Sequence, residues 1–204
     1  MGFSKKDFYY GLLTGFYTGL IVWLVAQFLK LPPFFGIAYG WLPIIVPMVW
    51  LIGVWLGYFL AHWLVFFHQF GKFSAVGFTN AAVDFGILNL GIALTGITNG
   101  REYALIRALA ALVAITHSYF WNRRWVFESQ RQDIAGEFRN FFGAALISGL
   151  VNIGIATAVV NFVRPLASLS PERWANVGAI IGSATALTSN FIILRQGVFN
   201  RPNT

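Results

Sequence analysis

The chain has 204 residues, of which 57% are hydrophobic, 18% aromatic and only 10% charged, with a mean hydropathy of +0.67. Soluble domains carry about 25% charged residues, so this chain cannot cover a water-facing surface. Its net charge of +7 therefore reads as topology-fixing, headgroup-meeting lysine and arginine rather than a nucleic-acid interface. The absence of cysteine excludes disulfides and thiolate metal sites.

In chain order, six apolar segments reach the roughly 20 residues needed to cross the hydrocarbon. They lie near 8–30, 41–66, 73–96, 103–122, 139–162 and 174–194. The fold class is thus all-α, a polytopic membrane helical bundle. The first segment follows Lys5 and Lys6 like a signal peptide, but its apolar run is span-length and no small-residue cleavage site follows. It reads as an uncleaved helix carrying Gly11, Gly15 and Gly19 in tandem GxxxG spacing. The second has Pro43 and Pro47 near its start and a GxxxG pair, Gly53 and Gly57. Ala110, Ala114 and Ser118 on the fourth, and Gly178 and Gly182 on the sixth, extend the small-residue theme. Such rows let helices approach closely, within one chain or between two.

The third span carries Asp84 near mid-depth, on a small and polar stripe with Gly77, Asn80, Ala81 and Gly91. An acid there costs roughly 2.5–3.5 kcal/mol on insertion scales, so the stripe must face protein or water. Two uses fit: a structural ion pair or hydrogen bond, or a place in a translocation pathway. Arg107, about one turn into the fourth span, is its expected partner. Snorkelling to headgroups, or holding a phosphate on the far side, would also suit it.

The fourth and sixth spans close on similar sentences, Ser118-Tyr-Phe-Trp-Asn-Arg-Arg-Trp-Val-Phe127 and Asn190-Phe-Ile-Ile-Leu-Arg-Gln-Gly-Val-Phe199. Upstream, Lys72-Phe73 matches Asn140-Phe141, and Asp84 matches Asn152. A unit of roughly seventy residues is therefore duplicated, making the last four helices two parallel two-helix repeats. The implied division is 1–69, an N-terminal hairpin, and 70–204, a four-helix core with repeats at about 70–128 and 138–204. Only the first repeat carries charge at depth; the second has Asn152 and Ala179 there.

Lysine and arginine counts favour one face, with Lys5, Lys6, Lys72, Arg123, Arg124, Arg131, Arg139, Arg195 and Arg201 against Lys30, Arg101, Arg107, Arg164 and Arg173. Both termini are expected in the cytoplasm, with the inner (plasma) membrane as the expected compartment. Lys72, Arg123, Arg124, Arg139 and Arg195 form a basic collar at the inward helix ends. The positive-inside rule explains much of it; the neighbouring Trp121, Trp125 and Phe127 also suit a lipid phosphate. Asn80, Asp84, Arg107, Asn152 and Asn190 are the polar residues along the spans. His62, His68 and His117 share no face with an acid cluster, so no metal is expected. No catalytic constellation or cofactor motif is present in the sequence, and none is expected in the protein.

From about Phe70 to Arg201 the chain resembles the GtrA-like family of small membrane proteins. The resemblance rests on Lys72-Phe73-Ser-Ala-Val-Gly77 with Thr79, Asn80 and Asp84, on Asn122-Arg-Arg-Trp-Val-Phe127, and on Asn190-Phe191 with Val198-Phe199. It implies translocation of polyprenyl-phosphate-linked sugars to the outer leaflet for polysaccharide or teichoic-acid glycosylation. Implied partners are that sugar lipid, membrane lipids and a glycosyltransferase that the protein could instead merely anchor; a four-helix core is small for enclosing a path, so a homodimer or a cleft open to lipid is expected. Ser118-Tyr119 and Gln196-Gly197 depart from the family pattern, and the first two helices lie outside it.

Overall fold

A computed structural model describes residues 2–33, 36, 38–97, 100–165 and 171–199. The described residues are helical throughout their regular structure, in a multi-pass membrane protein. Helix α1 spans Lys5–Phe28, α2 Leu42–Leu60 after a 3₁₀ turn at Tyr39–Trp41, α3 Phe67–Thr95, α4 Gly100–Trp121, α5 Ile134–Phe162 and α6 Pro171–Ile193. Helices α4 and α6 each run directly into a five-residue π-helical turn, Asn122–Val126 and Leu194–Val198. Lys5–Phe28, Tyr39–Leu60, Phe67–Thr95, Arg101–Val126 and Ile134–Val159 are long and apolar enough to cross a membrane.

Local chemistry sets several boundaries. Ser4 and Asp7 form a capping box at the start of α1. Pro43 occupies the first turn of α2, where its missing N–H costs nothing. Gly96 ends α3 with φ +71°, a left-handed cap open to glycine. Asp133 caps α5 by accepting from the Gly136 N–H at 2.8 Å. Two helices begin earlier than hydropathy suggests. Helix α3 starts at Phe67 rather than 73, with Gly71 in its extra turn lying against Gly57 of α2, and α5 starts at Ile134 rather than 139, where Asp133 caps it.

Contacts divide the chain into two compact units, Met1–Glu128 and Ser129–Thr204. In the first, α1, α2 and α3 pack mutually and α4 packs on α3. The α1 glycines meet α2 of the same chain: Gly11 faces Leu51, Gly15 faces Pro47, and Gly19 faces Leu42. A Cβ on Gly15 would lie 2.5 Å from the Pro47 Cα, so glycine is what allows this approach. Buried Ala110 and Ala114 lie along α4. A hydroxyl network joins three helices: Thr18 donates to Thr79 at 3.0 Å, and the Trp50 indole donates to the same oxygen at 3.0 Å.

In the second unit, α5 packs on α6 and on its π turn. The hairpins of the two units share a pattern. Their first helices both have 29 residues, and each π turn delivers a phenylalanine to the start of its partner helix. Phe127 meets Phe73 at 6.3 Å between centroids, and Phe199 meets Phe141 at 6.0 Å.

Candidate functional site

At the end of the first unit where α1 begins, four elements converge on one carboxylate. Asp7, 1% exposed, accepts at Oδ1 from the Lys72 ammonium at 2.7 Å and from the Trp125 indole N–H at 3.0 Å. Its Oδ2 accepts from the Tyr58 hydroxyl at 2.8 Å and from the Ser4 hydroxyl and N–H at 2.7 and 3.1 Å. Each element brings its donor for a local reason. The capping box turns Asp7 toward the helix start; α2 and α3 meet closely through Gly57 and Gly71; the π turn carries Trp125 inward, where it is fully buried. The ammonium of Lys72 also lies 5.4 Å from the centre of the Tyr58 ring. Of the expected phosphate-holding group, Lys72 is thus already engaged, by a residue just ahead of the first apolar segment.

The other basic residues stand differently. Arg123 is half-buried and donates to the Tyr119 hydroxyl at 3.3 Å. Arg124 is exposed, its guanidinium 5.3 Å from the centre of the Phe120 ring. Arg139 is exposed on α5, and Arg195 is half-buried in the second π turn; both belong to the second unit. Trp121 is buried with Tyr10 and Trp125 against it at 5.2 and 6.2 Å, and Phe127 is buried beside Phe73.

Farther along α3, Asp84 pairs with Arg107 of α4 at 2.5 Å, as the spacing suggested. The pair is not sealed: the side chains are 18% and 45% exposed. One turn away, the buried Oδ1 of Asn80 has no hydrogen-bond partner among the described residues. Tyr17 of α1 meets the Nε2 of His117 on α4 at 2.6 Å, while the buried Nδ1 has no partner among the described residues. In the second unit Asn152 donates to Ser183 across α5 and α6 at 3.4 Å, and the buried Oδ1 of Asn190 has no partner among the described residues. Both hairpins are therefore bridged by a polar link, charged in one and neutral in the other.

Sequence reasoning passed over Asp7, Tyr58 and the Tyr17–His117 contact. A signal for the first existed: Ser4-Lys-Lys-Asp7 before an apolar run is a capping-box pattern, and the acid is odd among the lysines. Tyr58 looks like any aromatic on an apolar helix.

No curated protein and no solved structure matches the chain. The family model described as "GtrA/DPMS, transmembrane domain" matches residues 72–199, from Lys72 to the phenylalanine that follows the second π turn. A match over most of the chain, on α3 to α6 with both terminal π turns, means that this membrane protein belongs to the GtrA/DPMS transmembrane domain family.

Proposed function

We propose that the protein is a flippase, not an enzyme, that moves the head of a polyprenyl-phosphate-linked monosaccharide from the cytoplasmic to the outer leaflet, supplying cell-surface polysaccharide glycosylation. The family match over 72–199 carries this reading. Such a lipid has an anion, a polar sugar and a tail that never need leave the hydrocarbon. Its head needs a basic mouth and polar groups at depth. In the first unit Arg123 and Arg124 suit such a mouth, with Lys72 joining if Asp7 withdraws, and in the second Arg139 and Arg195 do. Asn80, Asp84, Arg107, Asn152 and Asn190 suit the path, and the unpaired oxygen of Asn80 is available to a sugar hydroxyl. Trp121, Trp125 and Phe127 hold the mouth in shape. Both termini lie in the cytoplasm, and the protein works in the plasma membrane as a homodimer, which supplies walls that four core helices lack.

In reconstituted liposomes, Asp84→Asn and the double variant Arg123→Ala/Arg124→Ala should slow headgroup translocation about tenfold or more, a barrier change of about 1.4 kcal/mol. Wild-type rates in both would refute the assignment. A scaffold that recruits a glycosyltransferase is the rival, favoured by exposed Trp55 and Phe59 on α2 and Trp63 in the turn after it. Co-purification of such an enzyme, with no translocation by the pure protein, would select it.

A further inference from the structure

The family match begins at residue 72, so Lys72 and Trp125 belong to the family domain, whereas Ser4, Asp7 and Tyr58 come from the hairpin appended before it. Lys72 is 4% exposed, and a buried ammonium is costly unless an anion is paired with it. Here the anion arrives from outside the domain. We infer that Lys72, Trp125 and Tyr58 form a phosphate-binding site, and that the Asp7 carboxylate occupies it as a built-in surrogate that a phosphate headgroup displaces.

The donor set fits that ligand. Take away α1's first turn, and with it Ser4 and Asp7, and three donors remain on α2, α3 and the π turn: an ammonium, an indole N–H and a phenol hydroxyl. Together they carry one positive charge and aim at one point, matching the several oxygens of a phosphate. Every hydrogen bond now made to Asp7 from these elements reaches it at 2.7 to 3.0 Å. The surrogate is also in a place from which it can leave. Asp7 lies in the first turn of α1, so its departure needs only that terminal turn to unwind while the incoming anion takes over its donors. That turn is held besides by an exposed Lys6–Glu128 pair at 2.8 Å and by Phe3 edge-on to Tyr58. A purely structural bond would gain nothing from ionic chemistry, since an apolar pair of the same shape stabilises a buried position as well or better.

The inference rests on the flippase reading for the ligand's identity, but its test does not need transport. The full chain and its Asp7→Ala and Asp7→Ala/Lys72→Met variants are purified in detergent without phosphate, and melting is followed as inorganic phosphate or dodecyl phosphate is added against chloride at equal ionic strength. Asp7→Ala should melt below wild type and recover by several degrees with phosphate, while the double variant does not respond. Dodecyl phosphate acting at lower concentration marks a lipid headgroup; equal potency marks free phosphate. A folded Asp7→Ala protein indifferent to both overturns the inference. Should that variant not fold, the cysteine-free chain allows Lys6→Cys/Glu128→Cys to be bridged by a short cleavable linker that holds the first turn down. The melting shift with dodecyl phosphate should vanish on linking and return on cleavage; the same response in both states, or none in either, overturns the inference. A phosphate response in Asp7→Ala without translocation by wild type keeps the site and removes the flippase; translocation without the response removes the site alone.

Discussion

Lys72 and Lys6 show how burial decides what an ion pair is worth. The Lys72–Asp7 side chains are 5% and 1% exposed, the Lys6–Glu128 side chains 41% and 44%. Removing one partner of the buried pair strands a charge, which costs about 3–5 kcal/mol, whereas an exposed pair contributes under about 1 kcal/mol. Lys72→Met should therefore lower the melting temperature sharply in detergent, Asp7→Asn/Lys72→Met should restore most of it, and Lys6→Ala should leave it nearly unchanged. The same scale marks what could be read from residue types. Asp84 with Arg107 was legible because two charges within spans have few other partners. Asp7 was not, because a charge at a span's edge is indistinguishable by hydropathy from one solvated by headgroups. Its burial comes from Tyr58, Lys72 and Trp125, which lie 51 to 118 residues away along the chain.

Between helices, the small-residue rows were plain in the sequence, but their partners were not. Glycine spacing says that a backbone comes close without saying whose. Gly15 and Gly19 meet Pro47 and Leu42 of the neighbouring α2, so the tandem GxxxG is used inside the chain. Gly15→Val or Gly19→Val should push α1 off α2 at a cost of about 1–3 kcal/mol, typical of overpacking. Gly149→Ala and Gly154→Ala, where an added Cβ meets nothing within 4 Å, should be neutral or slightly stabilising. Thermal unfolding of the four variants separates the two classes. The π turns were invisible for a different reason: their extra residue leaves no mark in composition, and only the repeated Val-Phe ending hinted that both helices finish alike.

At the level of the whole chain, family membership and compactness cut the molecule in different places. The family match spans 72–199, yet the first compact unit is Met1–Glu128, which binds α1 and α2 to the first hairpin. The leading hairpin is thus integral to a compact unit although it lies outside the family match. A chain of residues 70–204, though it holds the entire matched domain, should be recovered from membranes in lower monodisperse yield than the full chain, because Lys72 then faces no carboxylate. Fluorescence-detected gel filtration of the two would measure this, and adding Lys72→Met to the short chain should recover yield. The all-helical membrane class followed from composition and from the apolar runs along the chain, whereas this mutual dependence rests on one acid.

The widened turns that end α4 and α6 carry one consequence more. In each, the closing N–H reaches five residues back, from Phe127 to Asn122 and from Phe199 to Leu194. Dropping a single residue there would restore ordinary winding and swing everything beyond it by roughly 100°. Phe127 and Phe199 would then leave their seats, however conservative the remaining side chains. These two joints should tolerate changes of letter far better than changes of length.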